Sequence, residues 1–268
     1  MPKLYYGSVL SDGVRIHYYR TGEEKPPVVL LHGITDNGLC WNRTALMLEP
    51  DFDVVMVDAR GHGLSDAPDT GYDYYQQAAD TAAVIEQLEL QKPVVMGHSM
   101  GAQTAAILAA RFPLLVKSLV LEDPPWEDNQ QETDARQKWA AQVRDNVMSF
   151  RERSEAELVE LGKNIHPTWD AGDIQMWARA KKQVRPEIAH IADQPRPDWR
   201  EFVGDIRCPL LLFTADQDKG ALVSPGAAAH VARLVRKCYV VNVPGAGHNI
   251  RRDQFEPFFD AVSTFLTL

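Results

Sequence analysis

The chain has 268 residues, 45% of them hydrophobic and 24% charged, and its formal net charge is −9 at neutral pH. This length and apolar content suit one sizeable globular domain with a packed core and room for an insertion. The acidic balance argues against a nucleic acid or an anionic membrane surface as a partner. Its apolar runs are too short to span a membrane and no secretory leader is recognisable, so we expect a cytoplasmic protein.

Short apolar runs alternate with segments of helical spacing along much of the chain. Residues 14–19 alternate apolar and polar side chains, which predicts a half-exposed strand. Six short apolar runs predict strands covered on both faces, as in a parallel sheet: 28–31, 54–57, 94–96, 119–121, 210–213 and 239–243. The spacing over 78–88 and 102–110 predicts helices between them. This alternation predicts an α/β fold with a mostly parallel central sheet and flanking helices.

Residues 124–205 interrupt the alternation, because they contain several helical patterns and no convincing strand. An apolar stripe predicts one helix across 139–150, and Ser154 with Glu157 forms a capping box that opens the next. A further helix is predicted over 171–182. We interpret this segment as a helical cap inserted into the sheet domain.

The predicted domains are therefore a core of residues 1–123 and 206–268, and the cap between them. Five of the six tryptophans lie in the cap or at its mouth: 126, 139, 169, 177 and 199. Trp126 and Trp169 are the candidate substrate-binding residues. The alternative is that these tryptophans form the core of the cap itself.

Residues 97–101, Gly-His-Ser-Met-Gly, follow a predicted strand and precede a predicted helix. In that context G-x-S-x-G marks a nucleophile elbow, a sharp turn that lifts the serine hydroxyl above the end of a sheet. Gly97 and Gly101 leave room where a Cβ would clash with the neighbouring strand or helix. The helix N-terminus behind Ser99 favours negative charge there. Ser99 is the candidate nucleophile.

A serine nucleophile needs a base, which a third group orients. In hydrolases with this motif the chain order is serine, acid, histidine. His248 follows the last predicted strand in a glycine-rich loop and is the candidate base. The acid should lie beyond the strand 210–213, where Asp216 and Asp218 both qualify and the spacing does not choose between them. Asp123, at the end of the preceding sheet strand, is a third candidate that ranks below these two.

A site for developing negative charge completes the pattern. A strand ends at His32-Gly33, so the backbone N–H groups of Ile34 and Met100 are the candidate oxyanion hole. His32 itself is expected to brace the loop through hydrogen bonds. Histidines and acidic residues are not clustered at ligand spacing and the cysteines show no C-x-x-C pattern, so we expect neither a metal nor another cofactor.

Taken together, these motifs closely resemble the α/β-hydrolase fold superfamily. The matching pieces follow the order of that family: His32-Gly33, 58–65, 97–101, 209–218 and Gly247-His248. The resemblance implies that 58–65 is a structural turn, in which Arg60 and His62 brace neighbouring loops. Ser99 stands where haloalkane dehalogenases and epoxide hydrolases of this fold carry an aspartate, which argues against both of those chemistries.

The sequence also looks like the small esterases and N-acyl-homoserine lactonases of this fold. This likeness implies a serine hydrolase of carboxylic esters, lactones among them, that acts through an acyl-enzyme on Ser99. The expected partner is a small hydrophobic ester or lactone. Two alternatives use the same fold: a cofactor-free perhydrolase or acyltransferase, and a non-enzymatic receptor for a small ligand. The sequence carries no signal for an oligomeric state.

Overall fold

The computed structural model describes residues 4–22, 24–127 and 133–268. Eight strands form one sheet: β1 Tyr5–Ser11, β2 Val14–Arg20, β3 Pro27–Leu31, β4 Asp53–Val57, β5 Val94–His98, β6 Ser118–Glu122, β7 Leu210–Ala215 and β8 Cys238–Val243. Their order across the sheet is β1-β2-β4-β3-β5-β6-β7-β8. β2 pairs antiparallel with β1 and β4, and the remaining neighbours are parallel.

The helices are α1 Asn42–Leu48, α2 Tyr74–Gln87, α3 Met100–Arg111, α4 Thr133–Glu152, α5 Glu155–Ile165, α6 Ala171–Gln183, α7 Trp199–Phe202, α8 Pro225–Leu234, α9 Ile250–Asp253 and α10 Phe255–Leu266. The α/β architecture with a mostly parallel sheet is as predicted. Strand β1 was not predicted, because it lies at the edge of the sheet and exposes Tyr6 and Leu10, which blurs the alternation expected of a half-buried strand.

Apolar side chains cover both faces of the central strands. In β3, Val29 and Leu31 belong to the core that contains buried residues of α2 and α3, whereas Val28 and Leu30 belong to the core that contains those of α1 and α10. Successive strand residues point to opposite faces, so a strand buried on both sides must be apolar throughout. This is why β3 to β7 appear as apolar runs in the sequence. The run 239–243 does form a strand, but β8 lies at the edge of the sheet and exposes Tyr239 and Val240, so the expectation that it is covered on both faces is wrong.

All the described elements between β6 and β7 are helical: α4 to α7 and two 3₁₀ segments, Pro186–Ala192 and Val203–Asp205. The predicted capping box at Ser154 is present at the start of α5. Helices α5 and α6 share a small apolar core that includes Trp169 and Trp177. Within the described ranges, no helix has the length and apolar character needed to cross a membrane.

Candidate active site

Ser99 lies between the end of β5 and the start of α3, where the chain turns sharply. Its φ of 51° and ψ of −114° are strained for a residue with a side chain. The backbone N–H of Ser99 donates to the carbonyl of Glu122 at the end of β6, at 2.9 Å, and this bond holds the turn against the sheet. The sharp strand-to-helix turn predicted at Ser99 is therefore present.

The two glycines of the motif are required by close backbone contacts. A Cβ added to Gly97 would lie 2.3 Å from the carbonyl oxygen of Gly101, and one added to Gly101 would lie 2.3 Å from the carbonyl oxygen of Leu31. Both distances are far inside van der Waals contact, and backbone atoms cannot move aside cheaply. The prediction that these positions have no room for a side chain is confirmed.

The imidazole of His248 contacts the carboxylate of Asp123. The distance from His248 Nδ1 to Asp123 Oδ2 is 2.6 Å. Asp123 directly follows β6, is fully buried and has a φ of 41°. Its carboxylate also accepts hydrogen bonds from the backbone N–H groups of Leu222 and Val223, at 2.9–3.1 Å. Asp123 is thus oriented by the loop that follows β7, and it fixes the ring of His248 in turn.

The two acids preferred from the sequence, Asp216 and Asp218, make other contacts or face solvent in the loop after β7. Asp216 Oδ2 accepts from the backbone N–H of Gly245 at 2.8 Å and lies 3.6 Å from Lys219 Nζ. Asp218 is exposed in the 3₁₀ turn 217–219. The expectation that one of them pairs with His248 is wrong, because the loop after β7 supplies backbone N–H groups to Asp123 and not a carboxylate to the imidazole.

His98, the second residue of the motif, ties the His248 loop to the elbow. Its Nε2 lies 2.9 Å from the carbonyl oxygen of His248, and the two ring centres are 4.8 Å apart. A carbonyl only accepts, so Nε2 carries the proton. Burial, assisted by nearby Arg251 and His248, lowers the pKa of His98 well below its usual range and keeps the ring neutral.

A second group of contacts fixes the same loop from the other side. Asp253 accepts from the backbone N–H of Gly247 at 2.9 Å. Arg251 donates from its backbone N–H and from Nη1 to the buried carboxylate of Glu122, at 2.8 and 2.7 Å. Since Glu122 also receives the N–H of Ser99 on its carbonyl, one residue of β6 supports both the elbow and the helix that follows His248.

The candidate oxyanion donors lie on either side of Ser99. A Cβ built on Gly33 would be 3.5 Å from the Cβ of Ser99, which places the start of the 33–36 loop directly against the elbow. Ile34 is the next residue of that loop. Met100 is the first residue of α3, so its N–H has no partner within the helix. The two predicted donors therefore belong to segments that meet at Ser99.

The residues expected to brace loops form hydrogen bonds: His32 to the 58–65 turn, Arg60 to α2, and His62 within its own turn. His32 Nε2 accepts from the backbone N–H of Ala59 at 3.0 Å, and Arg60 makes two bonds of 2.7 Å to Asp80. His62 Nδ1 lies 2.9 Å from the carbonyl oxygen of Arg60. Burial, together with neighbouring His32, lowers the pKa of His62 to about 3, so this ring is neutral at physiological pH.

The two candidate substrate-binding tryptophans join the cap to the core. Trp126 is fully buried, donates from its indole N–H to Gln103 of α3 and stacks on Trp199. It has no surface left for a substrate, so its predicted role does not agree with its burial. Trp169 is also buried; it stacks on His166 with ring centres 3.6 Å apart and donates to Asp253 at 2.7 Å.

Sequence reasoning missed a buried ionic group beside the site. The carboxylate of Asp36 contacts Lys181 Nζ of α6 at 3.1 Å and Arg252 Nη2 of α9 at 2.9 Å. Burial alone would raise the pKa of Asp36, but these cations and nearby Arg251 lower it well below its usual range. No spacing pattern could reveal this group, because Asp36 lies 145 residues from Lys181 and 216 residues from Arg252. Among the described residues, no cluster of histidine, cysteine or acidic side chains is placed to hold a metal.

The chain is similar to a known protein family, to individual relatives and to solved structures. The profile of the alpha/beta hydrolase fold family matches residues 26–251. The chain is 32% identical to 2-(acetamidomethylene)succinate hydrolase of Mesorhizobium japonicum, over 90% of this chain and 88% of that one. It is 31% identical to N-formylmaleamate deformylase of Pseudomonas putida, over 97% and 96%.

Solved structures show the same architecture. The crystal structure of E-2-(acetamidomethylene)succinate hydrolase superposes with a TM-score of 0.83 at 27% identity, over 99% of this chain and 100% of that one. Est816, described as an N-acyl homoserine lactone degrading enzyme, has a TM-score of 0.76 at 22% identity, over 97% and 100%, and shares the fold. With the family profile matched over most of its length, this chain belongs to the α/β-hydrolase family.

Proposed function

We propose that this protein is a serine hydrolase in which Ser99 is the nucleophile, His248 the general base and acid, and Asp123 the residue that orients His248. The observation that carries the proposal is the 2.6 Å contact between His248 Nδ1 and Asp123 Oδ2, in a loop that His98 ties to the serine elbow. An ionised carboxylate against Nδ1 leaves Nε2 as the nitrogen that can accept a proton.

The reaction would proceed in two acyl transfers. His248 Nε2 takes the proton of the Ser99 hydroxyl while its oxygen attacks the carbonyl carbon, and the resulting oxyanion is bound by the N–H groups of Ile34 and Met100. Collapse of this intermediate breaks the bond to the leaving group, which receives the proton from His248. Water then gives a proton to His248 and attacks the carbonyl carbon of the acyl-enzyme. Collapse of this second intermediate breaks the ester bond to Ser99, whose oxygen takes the proton back from His248 as the acid is released. Asp123 remains ionised and stabilises the imidazolium.

We propose short-chain amides of small dicarboxylic acids as the first substrate class. The support is that two relatives above 30% identity, each matched over at least 88% of its length, are named for an acetamidomethylene succinate and an N-formylmaleamate. Carboxylic esters and lactones are the second class, because the same acyl-enzyme forms more easily when an alkoxide leaves.

The deciding experiment compares acid release from matched substrates. N-formyl and N-acetyl amides of unsaturated dicarboxylic acids, p-nitrophenyl acetate and an N-acyl-homoserine lactone would be assayed with the wild-type protein and with Ser99→Ala. We expect turnover of at least one class by the wild type and a loss of at least about 10³-fold in Ser99→Ala. Mass spectrometry of the quenched wild-type reaction should show one acyl group on Ser99.

The same assay separates the alternatives. Partition of the acyl group to added peroxide or alcohol in preference to water would favour a perhydrolase or acyltransferase. Tight ligand binding that survives Ser99→Ala, with no turnover by either protein, would favour a receptor. Undiminished hydrolysis by a folded Ser99→Ala variant would overturn the proposal.

A further inference from the structure

A lysine of the cap contacts the loop that carries one candidate oxyanion donor. We call residues 33–36, between β3 and the 3₁₀ turn Gly38–Trp41, the oxyanion loop. Lys181, near the end of α6, places its Nζ 3.0 Å from the carbonyl oxygen of Thr35, 2.8 Å from Thr35 Oγ1 and 3.1 Å from Asp36 Oδ1. An ammonium group has three N–H donors, so the loop uses all of them.

Thr35 has a conformation that needs such support. Its φ is 64°, in the left-handed region, which is rare for a β-branched residue. Thr35 directly follows Ile34, so the torsions at Thr35 and the position of its carbonyl constrain how the Ile34 peptide faces Ser99. Lys181 binds both the carbonyl and the hydroxyl of Thr35, and thereby holds the strained residue in place.

The contact is buried and joined to the other half of the site. Lys181 and Asp36 are both buried, and the second oxygen of Asp36 binds Arg252 Nη2 at 2.9 Å. Arg252 lies four residues after His248, in α9. Asp36 therefore connects the cap, the oxyanion loop and the helix behind the base. Because burying a charge requires removing it from water, a buried ion group contributes little to net stability. Its main effect here is to hold these three segments in one relative position.

We propose that Lys181 is a positioning residue for the oxyanion hole. When α6 is docked, its ammonium group fixes Thr35 and so holds the Ile34 N–H towards the place where negative charge develops. The hole is then complete only with the cap in place, which couples cap docking to acyl transfer. This inference rests on the proposed function, since it assumes that Ser99 is acylated.

The test measures the reaction of Ser99 with a fluorophosphonate probe, which forms a tetrahedral adduct, beside the kcat and KM of the best substrate. The variant is Lys181→Met, which keeps the length of the side chain and removes the charge. The matched control is Arg179→Met on the same helix, whose partner Glu155 forms an exposed pair at 3.0 Å. Exposed pairs of this kind contribute little.

We expect Lys181→Met to lower kcat and the labelling rate by about ten- to a hundredfold, less than the 10²–10³-fold seen when an oxyanion donor is removed outright. KM should change by less than about threefold, because the donor acts on the transition state and not on bound substrate. Arg179→Met should match the wild type in all three quantities.

A second substitution separates positioning from general damage. Glycine adopts positive φ without strain. The double variant Lys181→Met/Thr35→Gly should therefore be labelled at least about threefold faster than Lys181→Met alone. If Lys181→Met does not fold, Thr35→Val removes one of the three hydrogen bonds and keeps the branched shape, and it should label severalfold more slowly than the wild type.

The outcomes distinguish the two proposals. A wild-type protein that neither hydrolyses the panel nor is labelled at Ser99 overturns the proposed function, and this inference with it. Wild-type labelling at Ser99 together with unchanged labelling and kcat in Lys181→Met, or in Thr35→Val, overturns the positioning role alone. An equal loss in the single and the double variant would also contradict it, since that is the result of damage unrelated to Thr35.

Discussion

Two loops at the carboxyl end of the sheet carry acids, and they are used differently. The loop after β6 supplies Asp123, whose carboxylate is fully buried and contacts His248. The loop after β7 carries Asp216 and Asp218, yet what it gives to the site is the pair of backbone N–H groups that bind Asp123. Asp216, 30% exposed in its side chain, instead fastens the turn before His248 through Gly245.

This difference shows what selects the orienting acid. Both loops follow parallel strands and both end near the same edge of the sheet. Position at that edge therefore does not determine which acid contacts His248. The deciding feature is convergence of donors: Asp123 receives two backbone N–H groups and the imidazole, whereas Asp216 receives one backbone N–H and a partly exposed lysine. A buried carboxylate needs such partners to remain ionised.

Neutralising each acid in turn tests whether Asp123 or Asp216 orients His248. Asp123→Asn keeps an acceptor for Leu222 and Val223 and presents an amide to His248, which favours the wrong tautomer. We expect kcat to fall by about 10³–10⁴-fold. Asp216→Asn can still accept from Gly245, so its kcat should stay within about threefold of the wild type. Steady-state kinetics on the best substrate, with thermal unfolding as the check on folding, measures both.

The opposite ranking would contradict the account. A large loss in Asp216→Asn with a small one in Asp123→Asn would return the orienting role to the loop after β7. Equal, small losses in both would mean that neither acid acts on His248 during turnover.

A smaller effect is expected from His98, which supports the loop that both acids contact. His98→Leu removes the bond to the carbonyl of His248, and we expect kcat to fall about tenfold with little change in KM, because a misplaced base affects the chemical step. His98→Gln offers an amide N–H in a similar place and should retain more activity. Identical losses in the two variants would argue that the ring shape, and not its hydrogen bond, matters.

The smallest expected effect near neutral pH is a change in the free energy of unfolding. Burial lowers the pKa of His32, His62 and His98 in the folded protein, to about 3 for His62. In the unfolded chain they titrate near 6.5, so below that pH the unfolded state binds more protons and folding stability falls as pH falls. Each histidine contributes a slope of up to about 1.4 kcal/mol per pH unit.

Calorimetric melting between pH 8 and pH 5 measures this effect. The melting temperature should be nearly constant above about pH 7 and decline below about 6.5. His62→Asn should flatten the decline. A melting temperature that rises on acidification through this range would mean that these rings are protonated in the folded protein.

Much of the fold follows from local signals in the sequence. The apolar runs of β3 to β7 mark strands covered on both sides, and the capping box at Ser154 marks a helix start because both reciprocal bonds are local. The elbow at Ser99 is equally local, since its glycines and its position between strand and helix lie within a few residues. Strand β1 escaped prediction because it is an edge strand with exposed apolar side chains.

The rest of the site depends on contacts between distant segments. Asp123 and His248 are 125 residues apart, and the choice of Asp123 depends on where the amides of 222 and 223 fall. Trp126 looks like a pocket residue by type and place, yet packing against Gln103 and Trp199 buries it. Lys181 carries no motif at all, because its role comes from three-dimensional contact with Thr35.

The proton on His248 Nδ1 reports whether Asp123 orients His248. A short charge-assisted bond such as this one, at 2.6 Å, should give a resonance far downfield in the proton NMR spectrum of histidine-labelled protein. His248→Gln assigns it by its disappearance. We predict that the resonance is lost in Asp123→Asn and kept in Asp216→Asn; its survival in Asp123→Asn and loss in Asp216→Asn would contradict the account.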